Sequence, residues 1–306
     1  MCRCFFVDRI ILIGHLSLDR IELNEKVYFP VLGGAVAYAG VVLKKLNYDV
    51  TIISEIGADF PRDFLDFFES IGINTGLISQ TSSYTTSYYL KYNINGSREL
   101  YLLRRAHNVG LQHLNILSSL LNPNDIVLFL PIANEIPLQY YEFFAGRDIA
   151  LTALDLQGLL RKHQKGIVRI KKPDEKILDS IRKLVPDILK ASYEEAKMFL
   201  LNAQPSDLIM MLQKETNARY VILSLGEKGT MGFHKSKIFT IPSREDILPK
   251  NTTGAGDILL SSFVGFFARG IDFEVALRNA NEIASNSVLF MDPLDIYENL
   301  KIEPIA

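Results

Sequence analysis

Residues 251–257 read Asn-Thr-Thr-Gly-Ala-Gly-Asp and run straight into Ile258, Leu259, Leu260, Phe263, Val264, Phe266 and Phe267. The small residues Gly254, Ala255 and Gly256 let backbone N–H groups converge on one point without side-chain obstruction. The apolar residues behind them recur at helical spacing. The turn is therefore expected on a helix N-terminus, where free amides and the macrodipole favour a phosphate. Asp257 then stands beside the anion site, placed to accept a proton from an attacking hydroxyl, and phosphoryl transfer needs those two parts. The same residues would also serve a plain helix-entry turn with Asp257 as its N-cap, and the local sequence does not separate the two readings. Two other phosphate loops are excluded. No Gly-x-x-x-x-Gly-Lys-Ser/Thr string occurs, and the third glycine of a dinucleotide fingerprint would fall at 259, which is Leu259.

Working outward, the 306 residues are 48% hydrophobic and 22% charged, enough for a soluble globular protein with a large core. A net charge of −2 supplies no global field that would steer the chain to nucleic acid or to an anionic membrane. The local basic cluster Arg161, Lys162, His163, Lys165, Arg169, Lys171 and Lys172 has no interleaved aromatics and reads as a solvated face. Cys2 and Cys4 are too close to bridge each other and have no other partner, so they are expected to be inert in a reducing cytoplasm. Asp8 and Arg9 interrupt the apolar residues near the start, which leaves no signal-peptide core, and no run reaches the ~18 apolar residues of a membrane span.

Short apolar runs alternate with helix-like segments, the pattern of a doubly wound, mostly parallel sheet with helices on both faces. Strands are expected over 10–13, 50–54, 126–130, 149–153, 188–190 and 220–225. Helices are expected over 36–46, 62–70, 111–120, 138–144, 193–200, 206–214, 257–268 and 273–290. Residues 83–93 and 97–103 break this rhythm: they are strand-like, rich in Tyr and Thr, and joined through the hairpin turn Asn95-Gly96. The 21–30 stretch also reads as extended. By themselves these are two surface hairpins.

Several stretches together resemble the ribokinase-like, or PfkB, carbohydrate kinase family. Thr252 to Asp257 resembles the family's C-terminal signature. Gly14-His15-Leu16-Ser17-Leu18-Asp19 resembles its first strand end with a substrate-binding Asp, and Gly33-Gly34-Ala35 its N-terminal double glycine. Residues 56–60 with Gly72-Ile73, and residues 221–229, match in order. The resemblance implies a single ribokinase-like α/β domain over 1–306, with a small β-sheet lid inserted at about 19–31 and 83–103. It implies an ATP- and Mg2+-dependent phosphotransferase acting on a hydroxyl of a small sugar or cyclitol. Asp257 would be the base, and the amides of Gly254, Ala255 and Gly256 the anion hole. Asp19, Gly33 and Gly34 would hold the acceptor. Thr253, Ser224, Gly226, Gly229 and Asn281 would line the nucleotide side, with Glu195 near the magnesium. The lid aromatics would close over substrate or pack against a second subunit's lid as a homodimer.

Asp155-Leu156-Gln157-Gly158-Leu159-Leu160-Arg161 resembles a segment of the myo-inositol-kinase-like branch. That adds Gln157 to the acceptor site, with Asp155 offering its oxygens to a hydroxyl-bearing ring beside it. It makes a cyclitol such as myo-inositol the best guess, with ribose, fructose, a keto-deoxy acid sugar or a nucleoside still open. A loop without a ligand remains the alternative for this segment, and a catalytically silent sugar-binding protein the alternative for the chain. Two departures stand out. Asn251 replaces the acid that helps hold a monovalent cation in many relatives, and Ser192 replaces the Asn of an Asn-x-x-Glu motif that ends in Glu195.

Overall fold

Strand β1 (Ile10–Ile13) has no exposed side chain, because it lies mid-sheet under helices on both sides. Ile10 and Leu12 join one core cluster while Ile11 and Ile13 join the other, as the two-residue period of a strand requires. The structure, a computed structural model, describes residues 7, 9–93, 98–162 and 166–302.

The further strands are β2 (Ser17–Leu23), β3 (Lys26–Gly33), β4 (Val50–Gly57), β5 (Ile73–Ser82), β6 (Ser87–Tyr92), β7 (Arg98–Arg104), β8 (Ile126–Phe129), β9 (Leu151–Asp155), β10 (Gly166–Ile167), β11 (Ile188–Ser192), β12 (Tyr220–Ser224), β13 (Thr230–His234) and β14 (Lys237–Ile241). The helices are α1 (Ala35–Lys45), α2 (Arg62–Ser70), α3 (Gln112–Leu120), α4 (Leu138–Phe144), α5 (Glu175–Leu184), α6 (Tyr193–Ala196), α7 (Pro205–Thr216), α8 (Ala255–Ala268), α9 (Phe273–Ser287) and α10 (Pro293–Asn299).

Among the described residues, the large sheet has the order β14-β13-β12-β11-β9-β8-β1-β4-β5 and is parallel except for the β13–β14 hairpin at one edge. Helices α1, α2, α8, α9 and α10 contribute to the core on one face, and α3 to α7 to the core on the other. From Ile258 to Ala268 every residue of α8 is buried, so this helix has no solvent face. Its Phe263 and Phe267 stack at 5.5 Å, and each such ring contributes about 1.5–3 kcal/mol by leaving water. No helix among the described residues is long and apolar enough to cross a membrane.

A second sheet, in the order β10-β7-β6-β2-β3, stands beside the carboxyl end of β1. Strands β2 and β3 turn through Asn24 and Glu25, both at positive φ (49° and 63°), the two-residue geometry that matches strand twist. The hairpin turn expected at Asn95-Gly96 lies outside the described residues, as do Cys2 and Cys4, but β6 and β7 pair antiparallel up to Tyr92 opposite Arg98.

Several element bounds differ from the sequence expectation, among them those of β9, α6 and α9. Strand β9 runs two residues further than expected and ends on Asp155, because Asp155 pairs with Lys190 across the sheet. Helix α6 stops after one turn, its C-terminal side closing with i to i−3 bonds such as Met198 N to Glu195 O. Helix α9 ends at Ser287 rather than 290. Strands β5, β10, β13 and β14 and helices α5 and α10 were not anticipated. The signal for α5 was present as Asp174 at the N-cap and Ile177, Leu178, Ile181 and Leu184 on one face.

Candidate active site

The carboxyl ends of β1, β9, β11 and β12 converge beside the N-terminus of α8, where open α/β sheets form their ligand crevice. Gly254 caps α8 at φ 82°, and a Cβ there would lie 2.3 Å from the Tyr38 ring. The residue must therefore be glycine twice over, for its backbone angle and for the ring packed against it. A Cβ on Gly256 would lie 2.7 Å from the Lys190 ammonium, which puts a fully buried cation directly beneath the turn.

Lys190 lies on β11 and donates to Asp155 Oδ2 at 2.8 Å, with both side chains almost without exposure. Burial alone would push the ammonium down, but Asp155, Glu195 and Asp257 outweigh it and hold Lys190 well above its ordinary value. The pair is thus an ion pair within a cluster of acids. An unpaired charge there would be costly.

Asp257 is 6% exposed, and its Oδ1 has no hydrogen-bond partner among the described residues. Burial pushes its carboxyl up to about 7 and nearby Asp155 adds to the shift, while Lys190 and Arg161 oppose it. A buried carboxyl with a free oxygen, titrating near neutrality, has the properties of a general base.

Asp19 is carried by β2 on the small sheet. Burial lifts its carboxyl to about 6, against the pull of the Ser17 hydroxyl, the Tyr88 amide, Arg161 and Arg98. Gly33, at the end of β3, lies so close that a Cβ would sit 2.3 Å from Asp19 Oδ2 and 2.7 Å from Ser17 Oγ. Gly34 caps α1 at φ 95°, with the backbone of His15 in the space a side chain would need. Between the two acids stands Tyr38. It is 2% exposed, its hydroxyl has no partner among the described residues, and Asp19, Asp292, Tyr92 and Asp257 surround it.

Gln157 opens a single 3-10 turn at Gln157–Leu160, and its backbone N–H donates to Asp155 Oδ1 at 3.1 Å. Both oxygens of Asp155 are therefore engaged within the protein. The expectation that Asp155 offers its oxygens to a ring changes accordingly: Asp155 orients Lys190, and Gln157 alone presents a half-buried side chain. Arg161 also departs from the solvated face expected of its basic cluster. Its Nη1 donates to Ile132 O at 3.1 Å, and its charge acts on Tyr88, Glu195 and Asp257. Arg104 stays outside, paired with Asp59 at 3.4 Å, and Arg105 is tied to backbone carbonyls of the 106 and 133–134 segments.

On the donor side, Ser224 ends β12, and Gly226 and Gly229 form the turn that follows, at φ 61° and 94°. Asn281 is buried and engaged: its Oδ1 accepts from Thr230 Oγ1 at 2.7 Å and its Nδ2 donates to Pro242 O at 2.9 Å. It braces the floor of this region, with one N–H and one lone pair to spare. Glu195 closes a capping box with Ser192, whose amide donates to Glu195 Oε2 at 2.7 Å. Ser192 thus caps α6. Glu195 Oε1 makes no hydrogen bond among the described residues and lies near Asp155, Asp257 and Lys190. No group of three or more metal-ligating side chains occurs among the described residues. Mg2+ takes one or two carboxylates and fills its octahedron with phosphate oxygens and water, so Glu195 together with donor phosphates would be enough to hold it.

Thr253 Oγ1 and Asn251 Oδ1 both meet the Tyr92 hydroxyl, at 2.7 and 2.6 Å. Asn251 Nδ2 donates to Met291 O at 2.7 Å.

With this geometry in place, the comparison with known families is decisive: residues 12–292 match the pfkB family carbohydrate kinase model. The chain belongs to the PfkB family of carbohydrate kinases. This family of phosphotransferases includes relatives spanning nearly the whole chain. A Mycoplasma genitalium protein named "Putative 1-phosphofructokinase" is 26% identical over 290 residues, 92% of this chain and 89% of that protein. Among solved structures, a pyrophosphate-dependent kinase in the ribokinase family, complexed with a pyrophosphate analog and myo-inositol, superposes with a TM-score of 0.80 at 20% identity, covering 96% of this chain and 100% of that one. A "putative Ribokinase II" from E. coli in complex with ATP and Mg2+ gives 0.71 at 17% identity over 96% of each chain. The PfkB kinase described here therefore has the ribokinase-like fold, the small sheet included.

Tyr38, four residues after Gly34, and Lys190, a charge inside the apolar run of β11, were not anticipated as site residues although both carried a readable signal. Tyr92 was expected among the lid aromatics that close over substrate or a second lid, and its hydroxyl instead meets Asn251 and Thr253. One expectation follows from Asn251. Its Oδ1 is taken by Tyr92 and the Thr253 amide, and its Nδ2 points at a carbonyl, so it adds no charge for a monovalent cation. Replacing Na+ with K+ at constant ionic strength should change the phosphotransfer rate by less than about twofold. A strong K+ requirement in rate assays would refute this.

Proposed function

We propose that this kinase transfers the terminal phosphoryl group of ATP, with Mg2+, to a hydroxyl of an unphosphorylated sugar or cyclitol, with myo-inositol the best candidate. We read residues 1–306 as one catalytic unit acting in the cytoplasm. The observation that carries the reading is Asp257: a buried carboxyl with one free oxygen, in the first turn of a helix whose N-terminal amides face the crevice.

In this reading the acceptor is held by Asp19, Gln157 and the backbone at Gly33 and Gly34. The donor phosphates meet the amides at Gly254, Ala255 and Gly256, with Thr253, Ser224, Gly226 and Gly229 along the nucleotide and Asn281 bracing its floor. Mg2+, held at Glu195 and the phosphates, would neutralise charge on the donor. As the acceptor oxygen attacks, its proton passes to Asp257. The acceptor hydroxyl acidifies as it bonds to phosphorus, so a carboxylate suffices as base. Lys190 and the α8 amides stabilise the negative charge that moves across the transferring group.

A second reading has its own support. Arg98 and Arg161 both act on Asp19, and Arg98 is exposed enough to meet an anionic acceptor such as a sugar phosphate. Arg161 and Lys190 are already committed to Ile132 O and Asp155, which is why the neutral polyol is preferred.

The small sheet supports a homodimer. Its edge strand β3 exposes Val27 and Phe29 (46% and 62%), and Phe29, Leu18 and Leu103, with Arg20, Asp59, Ser87 and Arg104, line a cavity of about 360 Å3. An apolar edge of this kind calls for a cover, and a second copy's small sheet is its occupant in this reading.

Three outcomes are expected. Asp257→Asn should lower kcat by roughly 10²-fold or more with folding intact. In the parent enzyme kcat/KM should rise with pH through an apparent midpoint near 7, because the raised carboxyl must lose its proton to act as base. That midpoint belongs to Asp257 together with Asp155. A variant keeping most of its activity, or a flat profile from pH 5 to 9, would remove Asp257 from the mechanism. Secondly, product detection with myo-inositol, ribose, fructose 6-phosphate and adenosine, each with ATP or pyrophosphate and Mg2+, should favour myo-inositol with ATP. Preference for the phosphorylated sugar would install the second reading, and preference for pyrophosphate would change the donor alone. Finally, light scattering should give a dimer that Phe29→Lys dissociates; a monomeric parent would rule the lid dimer out.

A further inference from the structure

Tyr92 ends β6, and the phosphoryl-transfer reading gives it nothing to do. Yet its hydroxyl is part of a hydrogen-bond chain that joins the small sheet to the anion turn. Arg98 Nη1, across the β6–β7 pair, lies 3.3 Å from Thr253 Oγ1 as donor. Thr253 Oγ1 lies 2.7 Å from the Tyr92 hydroxyl, which donates in turn to Asn251 Oδ1 at 2.6 Å. The Thr253 amide also donates to Asn251 Oδ1 at 3.0 Å, and Asn251 Nδ2 donates to Met291 O at 2.7 Å. Each hydroxyl then donates once and accepts at least once, and the amide of Asn251 can face only one way. Backbone bonds from Lys250 N and Asn251 N to Val288 O fix the other end of the segment.

The same strand reaches the acceptor carboxylate. The amide of Tyr88, four residues before Tyr92, donates to Asp19 Oδ1 at 3.3 Å. Strand β6 also pairs in parallel with β2, which carries Asp19, through Arg20 opposite Tyr89 and Glu22 opposite Lys91. One strand thus contacts the acid of the acceptor side and, about 13 Å along at 3.3 Å per residue, the turn of the donor side.

We propose that Tyr92 is a positioning residue. Through Asn251 and Thr253 it sets the register between a hydroxyl bound at Asp19 and the phosphate-facing amides at 254–256. The proposal rests on the kinase reading of the site but not on the identity of the acceptor. Loss of the Tyr92 hydroxyl leaves every substrate contact in place and loosens only the alignment of the reacting groups. Misalignment lowers turnover without weakening binding.

The test is Tyr92→Phe, which keeps the ring. Kinetics are run on whichever acceptor the parent turns over fastest, so a wrong acceptor class leaves the test intact. The expected result is a kcat lower by roughly tenfold or more, with both KM values within about twofold. Hydrogen exchange without substrates should show faster exchange at amides 252–257 and unchanged exchange in β1, β8 and β9. A kcat within twofold of the parent, a raised acceptor KM at constant kcat, or exchange accelerated across both sheets would each overturn the proposal. The last would mean a structural role only.

Discussion

The turn at 254–256 fits only because two neighbours occupy the space its missing side chains leave. The ring of Tyr38, on α1, lies where a Cβ of Gly254 would be, and the ammonium of Lys190, on β11, lies beside Gly256. Helix α1 follows the double glycine of the acceptor side, and β11 carries the one-turn helix with Glu195. Both halves of the site therefore register on one turn. A side chain at either glycine would displace a ring or a buried charge along with the phosphate-facing amides.

The charges at the crevice follow from that packing. Placing Lys190 under the turn puts a cation where negative charge is to be stabilised, but a lone buried ammonium is unfavourable. Asp155 answers it at 2.8 Å, with Glu195 and Asp257 near. Burial, reinforced by the nearby Asp155 charge, is what lifts Asp257 to about 7, out of the ordinary carboxylate range. Stability and catalysis pull in opposite directions here. The cluster would be easier to bury if neutral, and it is the ionised form of Asp257 that takes a proton.

The small sheet adds a second constraint. It delivers Asp19 from β2 and Tyr92 from β6 as parts of one hydrogen-bonded surface, which ties the acceptor acid to the donor loop. The replacement of an acid by Asn251 suits this arrangement. A neutral amide accepts from Tyr92 and donates to Met291 O, whereas a carboxylate would face that carbonyl with no proton to give.

The local sequence determined the elements whose information is contiguous. Apolar runs such as Ile10–Ile13 could only be buried strands, and 62–70 and 138–144 became helices at the expected bounds because their periodicity is strong. The glycine turn and Asp257 were legible because anion binding at a helix start needs only neighbouring residues. The tertiary structure decided what depends on residues far apart in the chain. Asp155 was expected to face a ligand and instead pairs with Lys190, since a strand pattern does not say which residue of the next strand lies opposite. Arg161, read as part of a solvated basic face, instead reaches the crevice and donates to Ile132 O. Tyr38 and Tyr92 looked like ordinary core and lid aromatics, because composition records a hydroxyl but not the partner that folding brings to it, or, for Tyr38, withholds.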